Sequence, residues 1–567
     1  MKKHALLLLW LGLVCPKINF AQHLQDPRYP QGYFQWPVDT KPLLVANFGE
    51  LRPNHYHMGL DCKTEERENI PVLAAAEGYI AKVKIEPLGF GRALYINHPN
   101  GLTTLYAHLN DFFPALEQYV EQQQYQQKQW KLFIDIPPTL FPVQKGDFIA
   151  YSGNTGASQG PHLHFEIRDT QTDKVLNPLL FGFQIADDVA PDVFRLAVYD
   201  RNRSTYEQQP RLYPVKKSNG NYTAGMIRTA ATKVIFAVTT TDRSSGSSNQ
   251  NGIYKGELTN NGHWISGFLM DSISYDETRS LNAHIDYSTR SNGGPFLQYL
   301  SPLPGYTKGI YQTASGEDGS IDLTDNQPHD ITITLWDAHN NPSVLQFSIV
   351  HDSLAVSNVP TISGPLFKPN HVNVFENEVV SFYLNEEAIF DSFHFAYQVI
   401  KPAVGKPIYQ LHHKQVPLYK YFSVKIKDAF AIKDTGRIIM KRSWNNKTEF
   451  KKTVVANDWY SASFRSLGQF QLILDTIAPV IRPIGRLNNS SNWSGLKSIA
   501  FAVSDNTEEI GTFNAILDGQ WLCFSNDKGK VFRYSFDEHC PPGEHSLELT
   551  VTDLAGNIAT KTFYFTR

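Results

Sequence analysis

The chain has 567 residues and a formal net charge of −3, with 41% hydrophobic, 13% aromatic and 19% charged residues. A chain of this length exceeds what one hydrophobic core organises, so we expect about three to five domains. The nearly balanced charge lacks the basic surplus of a nucleic-acid-binding protein and the polybasic segment of a membrane-surface protein. We therefore expect no nucleic acid among its partners.

Residues 1–21 have the pattern of a secretory signal peptide. Lys2 and Lys3 form a basic start, residues 5–14 form an apolar run, and Ala21 is a small residue at a plausible cleavage point. The apolar run is too short to cross a bilayer and no later stretch is longer, so we predict no transmembrane segment in the mature chain. We expect an exported protein of the periplasm or cell envelope, or a secreted one. A lipoprotein acylated at Cys15 is the alternative.

Residues 30–185 are predicted to form one compact, mainly β domain. Residues 79–85 and 92–97 alternate apolar and polar side chains, and turns rich in Gly and Pro follow them. This pattern indicates short strands joined by tight turns.

An insertion at 113–142 interrupts this strand pattern. Pro114 and Glu117 suit the first turn of a helix, and a Gln-rich run without Gly or Pro follows them. We predict a helix beside the candidate site described below. A solvated loop is the alternative.

Beyond residue 186, strand-like segments recur in a background richer in Ser, Thr and Asn. This predicts three antiparallel β-sandwich (Ig-like) domains at 186–352, 353–474 and 475–567. The first and last share a repeat that begins with Asp-x-x-Ala-Pro and ends in an Asp-x-x-x-Asn turn, at Asp337 and Asp553. We expect each turn to be a hairpin capped by side chains, with calcium binding as the alternative.

Three cysteines follow the N-terminal segment. In an oxidising compartment, Cys523 and Cys540 are predicted to form a disulfide in the last domain, with free buried thiols as the alternative. Cys62 follows Asp61 directly, and successive side chains of an extended segment point to opposite faces. We therefore predict that Cys62 is a buried apolar residue and not a metal ligand.

Short segments of the N-terminal domain supply metal-binding side chains. His57 and Asp61 lie in the run 57–61, and His162 and His164 are two apart in a strand-like segment, so both leave the same face. His108 lies between these segments in the chain. Imidazole and carboxylate groups are the ligands of a catalytic zinc ion, which keeps one position open for water. If the segments converge, they form a hydrolytic zinc site.

A Gly-rich loop at 152–161 directly precedes His162. Such a loop allows sharp turns and lets the backbone approach a ligand closely. Together with the runs 48–53, 57–61 and 105–109, the segment 153–166 resembles the M23 peptidases, the lysostaphin/LytM-type zinc endopeptidases of bacterial cell walls. The resemblance covers about residues 35–180. It implies an antiparallel β-sheet peptidase domain and says nothing about the β-sandwich region.

The resemblance also implies roles for five residues. His57, Asp61 and His164 would bind one Zn²⁺ ion, and His108 and His162 would stand beside it as catalytic histidines. One imidazole would move the proton of the attacking water to the leaving amine, and the other would hydrogen-bond the developing oxyanion. Which histidine has which role stays open.

The leading hypothesis is an exported zinc metallo-endopeptidase that hydrolyses peptide cross-links of bacterial peptidoglycan. Its partners would be the peptide stems of the wall, together with other envelope proteins bound through the β-sandwich domains. One alternative is a non-catalytic, wall-binding regulator or scaffold of other hydrolases. Another is an adhesion or carbohydrate-binding protein that carries a minor peptidase. The cross-link type, and whether 113–142 covers the groove, stay open.

Overall fold

The computed structural model describes residues 28–307, 309–355, 362–428, 435–485, 487 and 491–567. The signal peptide predicted at 1–21 lies outside these residues. Among the helices that are described, none has the length and apolar character needed to cross a membrane.

The N-terminal domain consists mainly of short antiparallel strands, as the alternating sequence pattern predicts. Its main sheet has the strand order β1-β4-β13-β8-β7-β6-β10, and a smaller sheet has the order β5-β12-β9. The elements are β1 (Leu44–Ala46), β2 (Leu51–Arg52), β3 (His55–Tyr56), β4 (Leu60–Lys63), β5 (Pro71–Leu73), β6 (Gly78–Ile85), β7 (Arg92–Asn97), β8 (Leu102–Ala107), β9 (Leu109–Phe112), α1 (Pro114–Gln127), β10 (Leu132–Asp135), β11 (Pro142–Val143), β12 (Phe148–Ser152), β13 (His162–Asp169) and β14 (Val175–Leu176).

The helix predicted in the insertion is present as α1, but it lies elsewhere than predicted. Pro114 occupies its first turn, and Glu117 accepts two hydrogen bonds from Arg92, of 2.7 and 2.5 Å. At the other end, the ring of Tyr125 stacks on His539 with centroids 3.8 Å apart. The helix therefore joins the N-terminal domain to the last domain of the chain and does not line the candidate site, because its outward side chains contact the last domain.

The next part of the chain forms two packed sheets with the orders β16-β15-β19-β23 and β17-β18-β27-β26-β20-β21-β24. The pair β18 and β27 is parallel, which differs from the antiparallel expectation; the long connection between these strands permits either direction. The elements are β15 (Asp192–Asp200), β16 (Arg211–Pro214), β17 (Lys216–Ser218), β18 (Asn221–Thr229), β19 (Lys233–Thr241), β20 (Lys255–Asn260), β21 (His263–Leu269), β22 (Ser272–Ile273), α2 (Leu281–His284), α3 (Tyr287–Ser291), β23 (Gln298–Tyr299), β24 (Tyr311–Thr313), β25 (Ile321–Asp322), β26 (His329–Trp336) and β27 (Pro342–His351). We call this part the first sandwich.

Two further pairs of sheets follow, which makes the whole chain mainly β. The middle pair has the orders β29-β30-β34-β38-β37 and β32-β33-β39-β35-β36, and the last domain has β40-β42-β45 and β41-β47-β46-β43-β44. The strands are β28 (Leu366–Phe367), β29 (Asn373–Glu376), β30 (Val380–Leu384), β31 (Phe393–His394), β32 (Tyr397–Ile400), β33 (Ile408–Leu411), β34 (Pro417–Lys427), β35 (Ile438–Trp444), β36 (Lys447–Lys452), β37 (Val454–Ala456), β38 (Trp459–Ser466), β39 (Gly468–Leu474), β40 (Val480–Pro483), β41 (Ser491–Asn492), β42 (Ser498–Ser504), β43 (Ile510–Leu517), β44 (Gln520–Trp521), β45 (Val531–Ser535), β46 (Glu544–Asp553) and β47 (Ile558–Thr566).

The cysteines of the described residues are all free thiols, so the predicted Cys523–Cys540 disulfide is wrong. Cys540 is buried in the hydrophobic core of the last domain. Cys523 instead faces α1, where its Sγ lies 3.9 Å from the side-chain oxygen of Gln124. Cys62 is fully buried, in agreement with its predicted apolar role.

The N-terminal domain and the first sandwich share buried surface next to the candidate site. Phe48, Tyr56 and Met58 are buried in the hydrophobic core of the first sandwich. Strand β14 pairs with β22, so the main sheet continues from one domain into the other. This packing fixes the segment that carries His57 against the first sandwich.

Candidate metal centre

Three of the predicted site residues, His57, Asp61 and His164, converge in one buried cluster. The Nε2 atom of His57 lies 2.9 Å from Asp61 Oδ1 and 3.0 Å from His164 Nδ1. The third side of the triangle, from His164 Nδ1 to Asp61 Oδ1, is also 3.0 Å. In a tetrahedral zinc site the bond lengths place neighbouring ligand atoms about 3.3 Å apart. The three atoms are therefore close to the spacing at which they could bind one metal ion together.

Strand pairing brings these residues together from distant parts of the chain. Asp61 in β4 lies directly opposite His164 in β13 in the register of the two strands. Gly59 separates His57 from β4, and a Cβ atom at this position would lie 2.5 Å from the carbonyl oxygen of Phe165. Glycine is therefore required for the close approach of the two segments.

The hydrogen bonds of the two imidazoles define which nitrogen faces the triangle. His57 Nδ1 donates to the carbonyl of Asn47 at 2.7 Å, and His164 Nε2 donates to Glu166 Oε1 at 2.8 Å. The other nitrogen of each ring faces Asp61 Oδ1 and, when it carries no proton, directs a lone pair there. Three lone-pair acceptors at this separation repel each other unless a cation lies between them, so the donor set fits a metal ion.

The pKa shifts of the three residues also favour a positive charge between them. Burial lowers the pKa of His57 to about 4. Burial also opposes the charge on His164, but hydrogen bonds to Asp61 and Glu166 reverse this effect and raise the pKa of His164 to about 9. Burial opposes ionisation of Asp61 as well, yet His57 and the other histidines hold its pKa well below the usual value. A cation is thus strongly favoured at this position.

Arg52 holds the second carboxylate oxygen of Asp61. Its Nη2 lies 2.7 Å from Asp61 Oδ2 and 3.5 Å from Glu50 Oε2. This contact leaves Oδ1 as the oxygen that faces the histidines. Arg52 lies in the run 48–53, which contributes to the family resemblance. Nothing in the sequence indicated that Arg52 contacts Asp61.

Behind His164, a buried carboxylate fixes the orientation of the ring. Glu166 accepts hydrogen bonds from His164, from Arg168 at 2.7 Å and from the hydroxyl of Tyr275. Burial opposes ionisation of Glu166, but Arg168 and His164 lower its pKa to about 2. A carboxylate behind a ligating histidine holds the correct tautomer. The sequence did not indicate that Glu166 supports His164. One reason is that its partner Tyr275 belongs to the first sandwich, far away in the chain.

The other two predicted residues, His108 and His162, lie beside the triangle. Their ring centroids are 4.8 Å apart, and His162 Nε2 is 3.4 Å from Asp61 Oδ1. His108 Nδ1 donates to Thr155 O at 2.9 Å, and His162 Nδ1 donates to Gly160 O at 2.8 Å. In both rings Nε2 is left with a lone pair and is able to accept a proton.

His108 has further features of a functional residue. Burial lowers its pKa to about 3, and His164 and His162 add to the decrease, so the ring is neutral. Its φ of +61° places it in the left-handed region between β8 and β9. A residue other than glycine rarely adopts this conformation, and such strain clusters at functional sites.

The site opens into a cleft of about 1240 Å³ between the N-terminal domain and the first sandwich. Tyr275, Arg290 and Phe296 of the first sandwich form part of its wall. This volume exceeds the roughly 300–1,000 Å³ of typical small-molecule sites. The exposed His55 lies at the rim, and His98 is bonded to Glu77 O and Thr104 Oγ1 away from the cleft.

Comparison with known proteins gives two family matches. Residues 55–125 and 141–178 match the model of Peptidase family M23, and residues 365–475 match that of the Zu5-like domain.

The N-terminal domain is similar to known metallopeptidases. An uncharacterized metalloprotease of Haemophilus influenzae is 33% identical over 158 residues, which are 26% of this chain and 27% of that protein. The DD-carboxypeptidase/endopeptidase Mpg of Neisseria meningitidis is 35% identical over 112 residues, which are 20% of each chain. The match thus spans about a quarter or less of these relatives.

Among solved structures, the catalytic domain of lysostaphin from Staphylococcus simulans is 21% identical, with 28% of this chain and 96% of that chain covered and a TM-score of 0.18. That likeness by itself says nothing about activity. The family match lies on the segments that carry His57, Asp61, His108, His162 and His164. The segments of the N-terminal domain that carry the candidate site therefore match peptidase family M23.

Proposed function

We propose that this protein is an exported zinc metallo-endopeptidase that hydrolyses peptide cross-links of bacterial peptidoglycan. The observation that carries the proposal is the triangle of ligand atoms on His57, Asp61 and His164, with the rings of His108 and His162 beside it. The match to family M23 supports the reaction class, and the relative named as a DD-carboxypeptidase/endopeptidase supports the substrate class. The basic and apolar pattern of residues 1–21 supports export.

The zinc ion would be held by His57 Nε2, Asp61 Oδ1 and His164 Nδ1. When bound, it supplies a Lewis acid that polarises the scissile carbonyl and makes water acidic enough to react near neutral pH. The remaining chemistry belongs to side chains of the chain itself.

His108 and His162 are placed to move protons. Each ring is anchored through Nδ1 to a backbone carbonyl, so that its Nε2 is available in the cleft. One Nε2 takes the proton of the attacking water and delivers it to the leaving amine. The other, after its Nε2 has taken a proton from solvent, would donate a hydrogen bond to the oxyanion that develops on the carbonyl. The similar anchoring suits either ring to either role.

The test is digestion of purified peptidoglycan by the zinc-loaded protein, followed by mass analysis of the soluble fragments. We expect fragments cleaved at peptide bonds, loss of cleavage with a chelator, and recovery when zinc is added back. The variant His164→Ala should be inactive, whereas His55→Ala, an exposed histidine at the rim of the same cleft, should keep full activity.

Two outcomes would contradict the proposal. Undiminished cleavage by His164→Ala would remove the zinc site from the mechanism. Binding of the zinc-loaded protein to the wall without any cleavage would instead favour the non-catalytic regulator.

A further inference from the structure

A second acidic cluster lies in the last domain, far from the zinc triangle in sequence. Asp475 precedes β40, Asp505 follows β42 and Asp553 ends β46. One carboxylate oxygen from each of these residues lies within 4.8 Å of the others. Asp475 and Asp553 are each only 3% exposed. Three carboxylates are thus gathered at one end of the sandwich.

Two of these carboxylates have oxygens without a partner. Asp475 Oδ2 and Asp505 Oδ1 are buried and make no hydrogen bond. Within the part of the chain that the structure describes, no Lys, Arg or His side chain forms an ion pair with any member of the cluster. A buried charge that lacks a partner is strongly unfavourable. The unpartnered oxygens therefore indicate a missing cation.

The first sandwich contains a related cluster, in which Asp187 and Asp337 are grouped with His339, and Asp242 lies near enough to feel the charge of both carboxylates. Asp187 and Asp337 have carboxylate oxygens within 4.8 Å of each other. Asp242 is 4% exposed and its Oδ1 has no hydrogen-bond partner. Burial raises the pKa of Asp242 to about 8, and the neighbouring Asp337 and Asp187 add to the increase. The same number of carboxylates is thus crowded at the start of both domains.

Matching hydrogen bonds show that the two clusters have the same construction. The side-chain amide of Asn557 donates to Asp475 O at 3.2 Å, and that of Asn341 donates to Asp187 O at 3.2 Å. The backbone amide of Asn557 donates to Asp553 Oδ1 at 2.8 Å, as does that of Asn341 to Asp337 Oδ1. Because both domains contain the same Asp–Asn hydrogen bonds, we expect the two clusters to have the same role.

These bonds also confirm that each Asp-x-x-x-Asn turn is capped by side chains. Capping and cation binding are compatible, because a carboxylate oxygen has two lone pairs and each amide uses one. Asp553 can therefore cap its turn and still contribute to a cation site.

We propose that Asp475, Asp505 and Asp553 bind a divalent cation of the calcium type, and that Asp187, Asp242 and Asp337 form the equivalent site in the first sandwich. All-oxygen ligands with three negative charges suit a hard divalent cation, and calcium accepts six to eight oxygens in flexible geometry. Bound calcium would tie the segment that enters each sandwich to the ends of its strands.

The two sites should differ in affinity. His339 Nδ1 lies 3.6 Å from Asp187 Oδ2, and the corresponding position in the last domain is Ala555. His339 offers a ring nitrogen to the first cluster, and calcium prefers oxygen ligands, so we expect weaker calcium binding there. Binding at the last domain should fall in the range of extracellular calcium modules, about 10⁻⁴–10⁻³ M or tighter.

The experiment is a calorimetric titration of calcium chloride into the full-length, zinc-loaded protein freed of calcium. We expect two equivalents of calcium in the wild type. Asp505→Asn should lose the tighter site and Asp242→Asn the weaker one. The matched control Glu548→Gln, an exposed carboxylate on β46, should keep both.

Thermal unfolding separates cation binding from a purely structural role. Without calcium, Asp505→Asn should unfold at the same or a higher temperature than the wild type, because one repulsive charge is gone. With calcium, the wild type should gain stability and the variant should gain less.

Several results would overturn all or part of the proposal. No calcium bound by the wild type, or two equivalents in both variants, would overturn it. An equal loss of stability in Asp505→Asn with and without calcium would show that the cluster is only structural. Loss of the single measured equivalent in Asp505→Asn would support the last-domain site and overturn the one in the first sandwich.

Discussion

At the scale of single residues, the site depends on how each histidine is anchored. His57 and His164 donate to Asn47 O and Glu166, while His108 and His162 donate to backbone carbonyls. In each ring one nitrogen is used for anchoring and the other is left for chemistry. The residue types are evident in the sequence, but the anchoring partners are not, because most of them are backbone atoms that carry no sequence signature.

Replacement of Glu166 by Gln should weaken metal binding without removing a proposed ligand. The neutral amide holds His164 less firmly and leaves Arg168 without its buried counter-charge. We expect zinc affinity to fall by about 10–100-fold, measured by competition with a chromogenic chelator. Glu66→Gln, an exposed carboxylate at the rim of the cleft, should bind zinc like the wild type. Equal affinities in all three proteins would show that Glu166 does not support His164.

Buried neutral histidines should make the fold sensitive to acid. His284 in the first sandwich is fully buried, and burial lowers its pKa to about 4 from 6.5. Between pH 6.5 and pH 4, His284 binds a proton in the unfolded chain but not in the folded chain. The free energy of unfolding therefore decreases as pH falls from 7 towards 4.

At pH 5 the lowered pKa of His284 should reduce the free energy of unfolding by about 2 kcal/mol. Urea unfolding at pH 7 and 5 should show a smaller decrease in His284→Gln than in the wild type. The exposed control His263→Gln should retain the full decrease. Identical decreases in His284→Gln and the wild type would mean that His284 titrates normally in the fold.

At the scale of elements, the loop at 153–161 anchors His108 and His162, the proposed catalytic histidines, because Thr155 O and Gly160 O accept their hydrogen bonds. Strands elsewhere in the N-terminal domain were predictable, since alternation of apolar and polar residues is a local signal. Residues 79–85 and 92–97 match β6 and β7 closely. The position of α1 was not predictable, because a helix can pack wherever its apolar side chains find a partner.

Gly156→Ala should disturb catalysis more than metal binding. Gly156 has a φ of +72°, and an added Cβ would lie 2.3 Å from the amide nitrogen of Gly91. The loop must then shift and carry Thr155 O away from His108. We expect lower turnover of peptidoglycan fragments with zinc content unchanged.

Gly160→Ala is the matched control, since a Cβ at Gly160 meets nothing within 4 Å. It should keep the turnover of the wild type. Similar turnover in both variants would argue that the loop does not position His108.

At the scale of the whole molecule, two distant domains complete the site. Tyr275 of the first sandwich bonds to Glu166, while Asp527 Oδ1 in the last domain accepts from Gly156 N at 2.7 Å. The Nζ of Lys528 donates to Ser158 O at 2.7 Å. These partners are more than 100 residues apart in sequence, so no local pattern indicates them. The failed Cys523–Cys540 prediction has the same cause: proximity in sequence did not show which way each side chain faces.

The last domain should therefore stiffen the loop at 153–161. In a double variant Asp527→Ala/Lys528→Ala, hydrogen exchange at 153–161 should accelerate and peptidoglycan turnover should decrease, because the loop loses two hydrogen bonds. Lys530→Ala, an exposed lysine nearby, should change neither. Unaltered exchange in the double variant would show that the contact has no effect on the loop.

The location of the metal tests the central claim most directly. Crystals of the zinc-loaded protein, measured on both sides of the zinc absorption edge, should show one strong anomalous peak in the cleft. We predict that it lies about 2.0–2.2 Å from His57 Nε2, Asp61 Oδ1 and His164 Nδ1. A zinc-loaded crystal with no peak among these three atoms, or with zinc held elsewhere, would contradict the account.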